Sequence, residues 1–187
     1  MKEELDPRRR RVLDVALATF QRFGFRKTSM EEVARAAGIS RQGLYLSFAT
    51  KEALFVAAIE YAVEDGLTAA VTVAKDESLA LEDKLVGLFD AWTGRYVGMM
   101  GEHVTDLHEA TLLHGGELLR DAEARFLDLV IKVIRGSKLP VTFKASGLSA
   151  RELAETLQAT ARGLKTICTS REDFGARMRL AVRVMCR

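Results

Sequence analysis

The chain has 187 residues, 48% of them hydrophobic and 29% charged, with only two prolines. That balance points to a helix-rich protein long enough to bury a core without a disulfide or metal staple. The opening Met1-Lys2-Glu3-Glu4-Leu5-Asp6 is acidic and argues against a signal peptide, and the apolar run Leu54–Ile59 stops at Glu60, far short of a membrane span. Cys168 and Cys186 form no CxxC pair and read as free or buried thiols in a reducing cytoplasm.

Net charge is +2, but its distribution is uneven. Residues 7–51 hold ten Lys or Arg against Asp14, Glu31 and Glu32, so this segment carries +7 and the remainder −5. A basic N-terminal quarter on a slightly acidic body suits a polyanion partner, the plainer alternative being a solvated charged face.

Asp6-Pro7 predicts a helix start, with Asp as cap and Pro where its missing N–H costs nothing. Leu13, Ala16, Leu17, Phe20 and Phe23 then recur at helical spacing until Gly24. Thr28 and Ser29 stand three residues before Glu31 and Glu32, a doubled capping box. The second helix buries Met30, Val33, Ala34 and Ala37 and stops at Gly38. Ser40 caps a short third helix carrying Leu44, Tyr45 and Phe48, and Thr50 caps a fourth that runs toward residue 74. A small residue at the crossing and a glycine at the bend make Ala34 to Ser40 a helix-turn-helix. Further helices are expected near 78–99, 102–114, 117–135, 149–168 and 171–186, with Ser149 and Glu152 as another capping box and 136–148 as a loop. No segment has a strand period long enough to build a sheet, so the fold class is all-α. The expected domains are 1–52, helix-turn-helix, and 53–187, all-helical.

If the third helix is a recognition helix, Arg41, Gln42 and Gly43 enter a major groove. Arg bridges guanine O6 and N7, Gln pairs with adenine N6 and N7, and Gly43 lets the backbone approach. Tyr45, Ser47 and Lys51 supply donors for phosphates, as do the helix starts at Thr28-Ser29 and Thr50. The Arg8–Arg11 run suits a flanking phosphate or a minor groove.

The stretch "TSMEEVARAAGISRQGLYLSFATKEALF", residues 28–55, resembles the DNA-binding region of the TetR (AcrR-like) family of bacterial repressors. The Thr/Ser cap, "EVARAAGIS", "LY" with Phe three residues on, and "KEAL" carry the likeness, over about residues 8–60. The resemblance implies that Arg41, Gln42 and Gly43 face bases and that Thr28, Tyr45 and Lys51 contact phosphates. Where the family commonly has His or Tyr before the Phe this chain has Ser47, and where Pro often follows it has Ala49. The resemblance further implies an effector pocket among the central helices and dimerisation through the last two. Consistent with the latter, Leu153, Leu157, Ala161, Leu164 and Cys168 make one stripe and Phe174, Met178, Ala181, Val182 and Met185 another, which two subunits could pack as a four-helix bundle. The alternative is that both stripes face the chain's own core.

Candidates for an effector pocket are Phe89, Trp92, Tyr96, Met99 and Met100, with Leu112, Leu113 and Phe126. His103, His108 and His114 lie in "EHVTDLHEATLLHGGE", which lacks metal-site spacing; a single His, such as His108, is better suited to anchor a ligand. No catalytic motif, metal or cofactor is called for. The expectation is therefore a cytoplasmic, homodimeric regulator, most simply a repressor, that binds a pseudo-palindromic DNA operator and is released by a small, largely apolar effector. The alternative is an all-α carrier or sensor without sequence-specific DNA binding.

Overall fold

A computed structural model describes residues 6–98 and 104–186. Asp6 accepts from the Arg8 amide and starts α1 (Pro7–Phe23), which Gly24 ends at φ 80°. The Ser29/Glu32 capping box opens α2 (Met30–Ala37), and Gly38, left-handed at φ 69°, turns the chain into α3 (Arg41–Ser47). The longer helices follow: α4 (Lys51–Lys75), α5 (Leu81–Trp92), a 3₁₀ turn (Gly94–Tyr96) and α6 (Val104–Arg135). The region expected as a loop holds a single-turn helix α7 (Leu139–Thr142) and a 3₁₀ turn, before α8 (Ala150–Ile167) and α9 (Arg171–Cys186). The two helices expected at 102–114 and 117–135 are one element whose direction breaks at Gly115, where φ is −133° and ψ 15°. No strand occurs among the described residues.

Packing divides the chain into two units. The first holds the chain as far as Glu64 together with α6 as far as Arg120; the second holds residues 65–98 and the chain from Asp121 onward. The sequence placed the boundary at residue 52. Packing carries it further because Leu54, Phe55, Ala58 and Ile59 of α4 are buried, and Phe55 closes an aromatic cluster with Phe20 and Phe25 at centroid distances of 5.0 and 4.8 Å.

In the second unit α9 lies along α5. Arg171 grips Asp90 through two hydrogen bonds of 2.8 and 2.6 Å, Arg179 donates to Asp83 at 2.6 Å, and Arg183 donates to Glu82 at 3.0 Å. Gly94 makes the close approach possible, since a Cβ there would come within 2.9 Å of the Phe174 ring. The stripes expected at a dimer interface face mostly inward. Phe174, Met178 and Val182 are wholly buried within a single chain, Leu153 and Leu157 nearly so, and Leu164 is half-buried. All but Leu164 belong to the unit's own core. The apolar residues left outside are Ile167 on α8 and Leu180 and Val184 on α9.

Candidate nucleic-acid interface

Leu44 is fully buried and Phe48 nearly so, which pins α3 against the first unit and fixes which of its faces looks out. The Ser40 hydroxyl accepts from the Gly43 amide at 3.0 Å. A Cβ on Gly43 would lie 3.1 Å from that oxygen, so glycine permits the cap to close tightly. On the open face stand Arg41, Gln42, Tyr45, Leu46 and Ser47. Arg41 and Tyr45, one turn apart, hold each other with the guanidinium 5.5 Å from the ring centroid. The long cationic side chain is thereby partly ordered before any partner arrives.

A shallow groove of about 450 Å³ beside α3 is lined by Arg8, Arg9, Ser40, Gly43, Leu46 and Ser47, among others. The arginine run of α1 therefore borders α3. It also divides: Arg9 stacks on Phe48 at 4.8 Å, while Arg10 turns toward Tyr61 at 6.0 Å. Leu46 was not singled out in the sequence, yet it is 83% exposed in the middle of this face. Its signal was present, because an apolar residue two places from buried Leu44 breaks the helical period. An outward aliphatic side chain among hydrogen-bonding ones suits apolar contact with a thymine methyl.

Three expected phosphate ligands are engaged elsewhere. Thr28 is 2% exposed and its hydroxyl donates to the Gly24 carbonyl at 2.6 Å. Ser29 donates through both its amide and its hydroxyl to the Glu32 carboxylate, each at 2.8 Å. These bonds hold the Glu32 carboxyl below its ordinary pKa. The start of α2 is thus closed by a reciprocal pair of bonds within the chain. The Lys51 ammonium lies 4.5 Å from the Phe25 centroid and donates to the Phe25 carbonyl at 3.0 Å, which locks the corner between α1 and α2. Arg26 of the same corner bonds to Asp106 and Glu109 of α6, and Phe25 meets the His114 ring at 5.3 Å.

The pocket candidates separate in the same way. Phe89, Trp92 and Phe126 come together in the second unit, with Trp92 stacked on Phe126 at 5.0 Å and Phe89 edge-on to it at 5.4 Å. Tyr96 follows in the 3₁₀ turn. His108, Leu112 and Leu113 instead lie exposed on the part of α6 that belongs to the first unit. Met99, Met100 and His103 lie outside the described residues.

Fold and face together define a helix-turn-helix protein whose third helix is followed by a larger helical region. Residues 12–58 match the family model of bacterial regulatory proteins, tetR family. It is 39% identical over 66 residues to the uncharacterized HTH-type transcriptional regulator YfiR of Bacillus subtilis, a match covering 35% of this chain and 32% of that one. It is 43% identical over 54 residues to the HTH-type transcriptional regulator AcrR of Shigella flexneri, covering 29% and 25%. The chain thus spans about a third or less of the curated relatives it matches. The fatty acid degradation regulator FadR from Bacillus halodurans shares the whole fold, with a TM-score of 0.71, 16% identity, and coverage of 98% and 96%.

Proposed function

We propose that the protein is a ligand-responsive transcriptional repressor that binds a pseudo-palindromic operator as a homodimer. The observation that carries this reading is the row Arg41, Gln42, Tyr45, Leu46 and Ser47 on the open face of α3, within a segment of net charge +7. Two such heads related by a two-fold axis read half-sites at least one helical turn apart, roughly 34–36 Å. The second copy is taken on the outer faces of α8 and α9. There Ala159 and Gly163 allow close approach, and Ile167, Leu180 and Val184 offer apolar area. Release follows from α6, which carries Phe126 of the aromatic cluster and also Asp106 and Glu109, the partners of Arg26 beside the reading head. By linkage, an effector that weakens DNA binding binds the DNA complex more weakly itself.

Selection of bound duplexes from a random DNA library, with and without Arg41→Ala, tests the reading. A symmetric motif that blurs in the variant is the expected result. Retention lost at moderate salt with no motif for either protein would overturn it and favour a carrier or sensor.

A further inference from the structure

Arg95 and Tyr96 occupy the 3₁₀ turn after α5, and Lys165 lies in the last turn of α8. Both cations approach one ring, with Arg95 Cζ and Lys165 Nζ each 5.6 Å from the Tyr96 centroid. Like charges gathered on one aromatic ring repel unless an anion lies between or beside them. Arg95 donates through Nη2 to Asp65 at 2.6 Å, but its Nη1 is buried with no acceptor. It is the one such side-chain atom among the described residues. Buried donors are almost always matched, so an orphan here asks for a partner that the chain does not supply. Nη1 cannot swing away easily: a Cβ on Gly66 would lie 3.3 Å from it and 3.4 Å from Trp92 Cε3, so α4 and Trp92 hem it in.

The charge count points the same way. Asp65 faces Arg95, while Glu123 is hydrogen-bonded to Arg162 at 2.8 Å and also attracts Lys165. Arg95 thus has Asp65, while Arg162 and Lys165 share Glu123. Burial pushes the Lys165 ammonium below its ordinary pKa, with Glu123 pulling it back. Beside the cations stands the wall of Trp92 and Phe126. An Arg fork and a Lys point charge at one end and aromatic faces at the other suit an apolar body ending in a planar monoanion.

We infer that Arg95 Nη1, Lys165 and Trp92 form a subsite for the carboxylate end of an organic acid, and that the effector belongs to that class. The inference rests on the reading of this region as a ligand-binding one, and it replaces a largely apolar effector with an amphipathic one.

The test uses the intact protein and the emission of Trp92, its sole tryptophan. Benzoate, phenylacetate and octanoate are titrated beside benzyl alcohol, 2-phenylethanol and 1-octanol. At least one acid should shift the emission saturably and bind roughly tenfold or more tightly than its alcohol. Lys165→Met and Arg95→Gln should each cost a similar factor, with Lys165→Arg nearly restoring affinity. Far-UV circular dichroism checks that each variant is folded, and Lys165→Met alone suffices if Arg95→Gln is not. Alcohols binding as tightly as acids, no acid response up to about 10 mM, or unchanged affinity in Lys165→Met would overturn the inference. A DNA-release assay separates the two claims. An acid that binds at Trp92 without releasing DNA supports the subsite and defeats the regulatory reading, whereas an alcohol that binds equally and releases DNA does the reverse.

Discussion

The α2–α3 pair and the α8–α9 pair both bury an apolar stripe, yet they leave opposite surfaces behind. Outside α3 are a guanidinium, an amide, a phenol, a hydroxyl and the aliphatic Leu46; outside α8 and α9, among charged residues, stand Ala159, Gly163, Ile167, Leu180 and Val184. The buried side of each pair holds its unit together and says little about partners. The exposed side separates a surface suited to a phosphate backbone from one suited to a second protein copy. Function in this molecule is written on the residues that packing leaves over.

The largest effect should come from confusing the two sides of α9. Phe174→Ala empties a fully buried site against Gly94 and should cost about 3–5 kcal/mol in urea-induced unfolding. Leu180→Glu, on the opposite face, should leave the unfolding of a single chain within about 0.5 kcal/mol, while sedimentation shifts toward the monomer. If Phe174→Ala only dissociated a dimer and left each chain as stable as before, the core assignment would fail.

Next is the reading face itself. Arg41→Ala should lose about 1–3 kcal/mol of discrimination at one position in each half-site. Leu46→Ala should relax the preference for thymine by less, since only apolar contact is removed. Both are read from competition between operator variants at fixed salt. Equal weakening on every sequence would demote either residue to backbone contact.

Lys51 should behave differently from Arg41, and this sharpens the comparison within the first unit. Lys51→Met removes a charged donor from the Phe25 carbonyl and a cation from the Phe25 ring. Because the group is half-buried, the loss should be about 1–2 kcal/mol of stability, with DNA affinity falling alike on all sequences. Thermal unfolding beside salt-matched binding curves checks both halves. A stable variant with weak binding would restore Lys51 to a simple phosphate contact.

Much of the first unit was legible because caps and turns are local. Asp6-Pro7, Ser29 with Glu32, Gly38 and Ser40 each act within three or four residues, and each stands where the sequence placed it. What the sequence missed there was competition. Thr28, Ser29 and Lys51 have the chemistry of phosphate ligands, and each also bonds a carbonyl or carboxylate of the chain. In the second unit, helical period located α8 and α9 but not their partners, since a period of 3.6 shows that a face is buried and not against what. The stripe containing Phe174 and Met178 therefore fitted a partner subunit as well as it fitted α5. Arg95 was invisible for a related reason, because its significance lies in an acceptor that is missing, and sequence patterns record only what is present.

The smallest effect offers the cleanest internal control, because the two units carry the same device. Ser29 with Glu32 and Ser149 with Glu152 form matched capping boxes, each with the amide bonded to the carboxylate at 2.8 Å and the return bond at 3.2 Å. Ser29→Ala and Ser149→Ala should each cost about 1 kcal/mol, seen as faster amide exchange at Glu32 and Glu152 respectively. Both carboxyls are held below the ordinary range, first by the backbone bond from their serine. A depressed carboxyl stabilises the fold above its unfolded pKa and loses that contribution as pH falls through the lowered value. Acidification should therefore loosen both helix starts together, and the serine variants should be less sensitive to it. If only α8 responded, something other than the Glu32 carboxylate would be holding the N-terminus of α2, and the seat at its start would be open to a phosphate after all.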